Sequence, residues 1–383
     1  MLLHGIFPPI TTPFYPDGSV YFKKLEHNVE RYSKTPVAGI AVLGSTGEAI
    51  MLSDEERREV LRTVRETCVP HKVLVAGTGA ESAIETLRLT EYAAELGYDV
   101  ALVRTPFFYR KQMSPASILA FYRTVADRSP LPIMIYSVPV FTGYDMPAEL
   151  IVELAEHPNI IGVKESGGDV EKVRRMVNAT RHIKRTATVT ETFAAVTPRM
   201  LKVTKRDSEN ETGELIPVGA LSGEASTGAG ASNTHVGTGA PARLSAQGYR
   251  AAPLSSSSVQ VIGNLKTRQR EIGFEVLVGA AQKLHPSLEA GAVGAILAFA
   301  CPAPTACYEI YAAWKEGDAD LARIKQTRIS IASTKVAADL GIPALKYAMD
   351  LNGYYGGPPR LPLLPLIADL KSEIDHLMAD IRN

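Results

Sequence analysis

The sequence predicts an α/β chain: a (β/α)8 TIM barrel with a C-terminal helical extension and a long low-complexity insertion. Three observations carry this. Eight short apolar runs recur, they alternate with capped helical patterns, and the pattern becomes purely helical after the eighth.

The runs, in order, are Ile6 to Ile10, Val37 to Leu43, Lys72 to Ala76, Asp99 to Val103, Pro132 to Tyr136, Asn159 to Lys164, Phe274 to Gly279 and Val293 to Ala298. They are apolar on both faces, as strands of a covered parallel sheet must be. An open doubly wound sheet would also alternate, but eight parallel units in sequence favour closure.

Helix starts are marked between the runs. Ser53 with Glu56 and Ser82 with Glu85 read as capping boxes ahead of apolar stripes. Ser114 followed by Pro115 is an N-cap with proline at the first helical position. Asp169 can cap the helix carrying Val170, Val173 and Val177. At the C-terminus, Leu363, Leu366, Leu370, Ile374, Leu377 and Ile381 share one helical face.

One segment breaks the rhythm. Of the 89 residues from His182 to Arg270, 41 are Ala, Thr, Ser or Gly, so little apolar area is available to offset the entropy of ordering. The expectation is a disordered insertion over 182–270, interrupting a barrel made of residues 1–181 and 271–316, with a helical region over 317–383. Such an insertion, placed between a helix and the next strand, would lie at the barrel's N-terminal face, away from the chemistry.

Composition narrows the function. Lys+Arg and Asp+Glu are both 41, so there is no basic excess for a nucleic-acid binder. Cys68, Cys301 and Cys307 form no disulfide framework or metal knuckle, which fits a reducing, cytoplasmic setting. The eight histidines show no metal-ligand spacing, so no metal is expected. The first residues lack a signal-peptide pattern, and the longest apolar run, Ala290 to Ala300, is too short to span a bilayer.

In a barrel of this kind, chemistry sits where the strands end. Lys164 ends the sixth run, flanked by Ile160, Ile161 and Val163. Burial disfavours a charged amine, and a neutral amine can attack a ketone to form a Schiff base. A lysine there can equally leave the strand to pair with Glu165. Tyr136 ends the neighbouring run and could shuttle protons, or simply pack. Gly44-Ser45-Thr46-Gly47-Glu48 offers two hydroxyls between glycines to an anion, or a tight turn. It has neither the nucleophile-elbow spacing nor a P-loop ending. The glycine-rich stretch Gly228 to Gly239 follows no strand and reads as low complexity.

Taken together, Gly44 to Glu48, Thr105-Pro-Phe-Phe-Tyr-Arg110, Tyr136-Ser-Val-Pro139, Thr142-Gly143, Gly162-Val-Lys-Glu-Ser166, Gly341-Ile-Pro-Ala-Leu-Lys346 and Gly353-Tyr-Tyr-Gly-Gly-Pro-Pro-Arg360 resemble the class I pyruvate-dependent aldolases. This is the family of dihydrodipicolinate synthase and N-acetylneuraminate lyase. Tyr-Ser-Val-Pro, Ser-Gly-Gly-Asp and Gly-Tyr-Tyr-Gly-Gly-Pro most resemble its 4-hydroxy-2-oxoglutarate aldolase branch. The resemblance implies Lys164 as Schiff-base lysine, Tyr136 as proton shuttle, and Ser45 linking Tyr136 to an aromatic hydroxyl from a neighbouring subunit. It implies Ser45 and Thr46 as holders of the substrate carboxylate, and Gly279 and Ile296 as pocket lining. Two positions depart from it. Phe141 stands where the synthases have a carboxylate-binding arginine, and Phe108 stands at the cross-subunit tyrosine, with Tyr109 adjacent.

The resulting expectation is a cofactor-free homotetrameric lyase cleaving 4-hydroxy-2-oxoglutarate-like substrates to pyruvate and an aldehyde such as glyoxylate. The alternatives are a 4-hydroxy-tetrahydrodipicolinate synthase or a sugar-acid aldolase or dehydratase of the same family, and, from another class, a lapsed barrel with a binding role.

Overall fold

The computed structural model describes residues 1–201, 260–262 and 265–381. All eight expected strands form. They are β1 (Gly5–Phe7), β2 (Gly39–Val42), β3 (Val73–Gly77), β4 (Val100–Arg104), β5 (Ile133–Ser137), β6 (Ile160–Glu165), β7 (Glu275–Val278) and β8 (Gly294–Ile296). They run parallel in one sheet, each beside its sequence neighbour, with β1 next to β8. The seam between β1 and β2 is closed by a parallel bridge from Pro9 to Ala41, where Ile10 N donates to Ala41 O at 2.9 Å and Ala41 N to Pro8 O at 3.0 Å.

The apolar runs are continuous because both faces of each strand are covered. Val100, Leu102, Met134, Leu277 and Ile296 point into the barrel, whereas Ala101, Val103, Ile133 and Ile135 point outward. The outward set packs against a ring of helices: α1 (Phe22–Ser33), α2 (Asp54–Thr67), α3 (Ala83–Leu96), α4 (Pro115–Arg128), α5 (Ala148–Ala155), α6 (Val170–Ala179), α7 (Leu284–Glu289) and α8 (Pro304–Lys315). Each fully buried aliphatic side chain contributes about 1.5–3 kcal/mol.

The helix starts follow the sequence signals. Ser53 and Glu56 form the reciprocal capping box, Ser82 accepts from Glu85 N without the return bond that would complete its expected box, Ser114 accepts from Ser117 N ahead of Pro115, and Asp169 accepts from Glu171 N and Lys172 N. The C-terminal region is helical, as α9 (Ala319–Ser333), α10 (Ile342–Leu351) and α11 (Ala368–Met378). Leu363 and Leu366 precede α11 instead of sharing its face, because Pro362 and Pro365 interrupt the helical pattern there.

The boundaries of the insertion need correction. Arg185–Thr190 pairs antiparallel with Leu265–Ile272, and Ala195–Val196 pairs with Leu2–Leu3, just ahead of β1. These flanks are therefore ordered parts of the fold. The tally of small residues hid a period-2 strand pattern: Ala187 and Val189 are buried, while Thr186, Thr188 and Thr190 face outward or sit at the edge. The rest of the disorder expectation falls on 202–259 and 263–264, outside the described residues.

Arg199 locks this flank to the barrel. Its guanidinium pairs with buried Asp99 at 2.7 Å and donates to Lys72 O and Pro70 O. Asp99 also accepts Leu74 N at 2.9 Å, at the entry to β3. Arg199→Ala would leave a buried carboxylate without its cation. We expect a loss of about 3–5 kcal/mol in denaturant unfolding. A loss under about 1 kcal/mol would show that the flank is not held this way.

Candidate active site

The candidate site lies where β2, β5 and β6 end. Beyond β2 the chain turns sharply: Leu43 and Glu48 both take left-handed backbone conformations, with φ of 59° and 55°. Such conformations cost energy in non-glycine residues and persist only where the surroundings enforce them. Here the enforcement is visible. Thr12 Oγ1 donates to Gly47 O at 2.7 Å. The Glu48 carboxylate is fully buried, lies 2.5 Å from Lys346 Nζ, and accepts Arg360 N at 2.8 Å. Lys346, on α10, also donates to Thr12 O and Pro358 O, both at 2.9 Å. Burial pulls its ammonium below the usual lysine range, and the Glu48 carboxylate opposes that shift. The turn so held carries Ser45, whose hydroxyl lies 2.8 Å from that of Tyr136.

Tyr136 and Lys164 sit directly opposite each other on β5 and β6. Both are buried, and Lys164 Nζ lies 4.0 Å from the centroid of the Tyr136 ring. Four lysines are buried among the described residues, and three are anchored by oxygen atoms. Lys72 donates to Thr35 O and Val37 O, Lys172 pairs with Glu165 and Asp145, and Lys346 pairs with Glu48. Among the described residues Lys164 forms no ion pair, and the alternative of a Lys164–Glu165 pair is not what the structure holds. Glu165 reaches Lys172 at 3.0 Å instead. A buried, unanchored amine against an aromatic face, beside two linked hydroxyls, can add to a carbonyl and exchange protons with what it forms.

The remaining predicted residues fall around this centre. Leu277 is level with Lys164 and Val278 with Glu165, which puts Gly279 beside Ser166 at the end of β7. A Cβ on Gly279 would come within 2.0 Å of Ser166 Oγ, so only glycine fits. Ile296 is the buried last residue of β8, and Thr46 is buried beside Ser45. Phe108 and Tyr109 are not drawn in. They stand 71% and 65% exposed, ring edge to ring face at 5.1 Å. Sequence reasoning passed over Ser166, whose buried hydroxyl has no partner among the described residues, and the Glu48–Lys346 pair. Each had only a weak signal, a polar residue at a strand end or in a C-terminal motif.

A cavity of about 630 Å³ opens beside this centre, lined by Ser45, Glu81, Arg104, Tyr136, Phe141 and Thr142 among others. No group of three or more His, Cys, Asp or Glu side chains among the described residues could hold a metal ion. No described helix is long and apolar enough to cross a membrane.

Known proteins resemble the chain in sequence and fold. A 4-hydroxy-tetrahydrodipicolinate synthase of Methanothrix thermoacetophila is 38% identical over 180 residues, which are 47% of this chain and 59% of that protein. The chain thus spans less than two thirds of the length of the curated relatives it matches. Dihydrodipicolinate synthase DapA-2 of Bacillus anthracis superposes with a TM-score of 0.72 at 20% identity, over 100% of both chains. YagE of E. coli, solved in complex with pyruvate, gives 0.71 at 22% identity, over 100% of this chain and 99% of that one. At such identities the superpositions speak for the fold alone. The family model for the dihydrodipicolinate synthetase family matches residues 2–204 and 255–381, on either side of the low-complexity stretch. That match takes in every strand of the barrel, both motifs that bring Tyr136 and Lys164 together and the C-terminal helices, and by it the chain belongs to the dihydrodipicolinate synthetase family.

Proposed function

We propose that the chain is a class I, pyruvate-dependent lyase or synthase working through a Schiff base on Lys164. The observation that supports this most is the buried amine of Lys164. Among the described residues it alone of the four buried lysines is left without an oxygen partner, and it rests on the Tyr136 ring. In this reading Nζ attacks the C2 carbonyl of a 2-oxo acid. Water leaves and a protonated imine remains. Loss of a C3 proton gives an enamine, which adds to an aldehyde carbon; in reverse, loss of the C4 hydroxyl proton breaks the C3–C4 bond. The imine nitrogen is the electron sink, so the chemistry calls for no cofactor. Tyr136 carries the proton, with its hydroxyl oriented by Ser45. Ser45 and Thr46 hold the 2-oxo acid carboxylate, with Gly279 and Ile296 as lining. We further propose a cytoplasmic homotetramer in which the exposed Phe108 and Tyr109 reach a neighbouring subunit.

Two substrate readings share this chemistry. The names of the curated relatives favour 4-hydroxy-tetrahydrodipicolinate synthase, the condensing reading that the sequence alone ranked second. Phe141, which lines the cavity where the synthases have a carboxylate-binding arginine, departs from the synthase pattern and keeps open the cleavage of 4-hydroxy-2-oxoglutarate, which the sequence alone ranked first.

Incubation with pyruvate and borohydride should add a covalent mass located on Lys164, and Lys164→Ala should abolish both the adduct and turnover. An unmodified protein points to a lapsed barrel with a binding role, and an adduct on Lys172 sinks the assignment. Tyr136→Phe should slow turnover about 10²- to 10⁴-fold with imine trapping partly retained. Activity within about threefold of the parent would mean that another group moves the proton. A side-by-side assay of aspartate semialdehyde condensation and 4-hydroxy-2-oxoglutarate cleavage decides the substrate. The faster reaction names the branch, and a synthase rate tenfold above cleavage would remove the aldolase reading.

A further inference from the structure

In both substrate readings the aldehyde partner of pyruvate carries a carboxylate of its own. That charge calls for hydrogen-bond donors or a cation of its own at the rim of the site, because a carboxylate moved from water toward an apolar wall without a partner is costly. Ser45 and Thr46 are neutral, and Phe141 is a hydrocarbon.

The arginines lining the cavity are already engaged. Arg57 pairs with Asp54 at 3.0 Å, Arg88 with Glu85 at 2.6 Å and Arg104 with Glu81 at 3.3 Å, while Arg58 lies over the Tyr92 ring at 4.6 Å. Arg110 differs. It begins the short turn Arg110–Gln112 in the loop after β4, and among the described residues its guanidinium makes no ion pair and no hydrogen bond.

Its guanidinium lies against a glycine on the next loop. The chain leaving β5 makes one helical turn over Pro139–Thr142 and ends at Gly143, which has a left-handed φ of 64°. A Cβ built on Gly143 would lie 2.7 Å from both Cζ and Nη1 of Arg110 and 3.0 Å from Nε. The guanidinium therefore rests where a side chain at 143 would otherwise stand. Phe141 and Thr142, immediately before it, line the same cavity as Tyr136 and Ser45. Arg110 is exposed beside that lining, and an unpaired planar fork there suits two parallel hydrogen bonds to a carboxylate.

We propose that Arg110, seated on Gly143, is the specificity-determining cation for the carboxylate of the aldehyde partner. This rests on the Schiff-base reading above. It would select aldehydes bearing a carboxylate over neutral aldehydes of similar size.

The test compares the full-length wild type with Arg110→Ala, Arg110→Lys and Lys111→Ala, all assayed with pyruvate. Aspartate semialdehyde and glyoxylate serve as charged partners and acetaldehyde as the neutral one. The readout is the ratio of kcat/KM for the better charged aldehyde to that for acetaldehyde. Two charge-assisted hydrogen bonds predict that this ratio falls about 10- to 100-fold in Arg110→Ala, mainly through KM. Arg110→Lys should fall between, since it keeps the charge and loses the fork. Lys111→Ala should keep the wild-type ratio, which separates a seated group from general attraction. A ratio within twofold of wild type in Arg110→Ala, or an equal fall in Lys111→Ala, overturns the proposal, as does a wild type with no preference for charged aldehydes. Pyruvate–borohydride trapping separates the two levels. A wild type that forms no Lys164 adduct fails the Schiff-base reading and this inference with it. A normal adduct with an unchanged ratio fails this inference alone.

Discussion

The interaction on which the site depends is the buried ion pair between Glu48 and Lys346, nearly three hundred residues apart in sequence. Neither side chain touches water, so each charge must be met inside. Lys346 satisfies its donors with Glu48, Thr12 O and Pro358 O, and it lies 4.4 Å from the Phe14 ring centroid. Glu48 also takes the backbone N–H of Arg360, whose guanidinium in turn holds Glu56 on α2. One buried carboxylate thereby ties the turn after β2 to α10 and to the C-terminal crossing at Gly356. A Cβ at Gly356 would come within 1.8 Å of Lys346 O, so that approach requires glycine. The C-terminal helices are then more than an extension of the barrel, because they supply the counter-charge that holds Ser45 beside Tyr136.

Charge neutralisation also separates the buried lysines. Three buried ammonium groups are met by oxygens and have structural work in the fold. Lys164 is met by an aromatic face. An amine kept dry, unanchored and next to a phenol is poor at stabilising a fold and well suited to attacking a carbonyl. Glu165, its neighbour in sequence, points away from the barrel axis and pairs with Lys172, so adjacent residues on one strand divide between chemistry and support. Strand alternation causes this, since consecutive side chains leave opposite faces.

At the opposite end of the barrel the organising forces are different. Leu3 N donates to the Glu275 carboxylate at the start of β7, and burial pushes that carboxyl up to about 7. The Leu2–Leu3 and Ala195–Val196 pair and the Arg199–Asp99 contact cover this face. The flanks of the insertion thus serve the floor of the barrel and stay clear of the strand ends that carry Tyr136 and Lys164.

The sequence by itself determined the eight strands, the helix caps and the ordering of Ser45, Tyr136 and Lys164 along the chain. These are local signals: apolar runs covered on both faces, hydroxyls placed three residues ahead of a helical N–H, and motifs closing strands. It misplaced the edges of the insertion, because composition averages over residues and strand alternation at Ala187 and Val189 does not survive the average. Only the tertiary structure decided which lysine is left without an oxygen, which carboxylate Lys172 takes, and that Arg110 lies on Gly143. Each of these depends on which side chains from distant strands and loops arrive at one point, and pairwise contact across a closed barrel has no counterpart in sequence spacing.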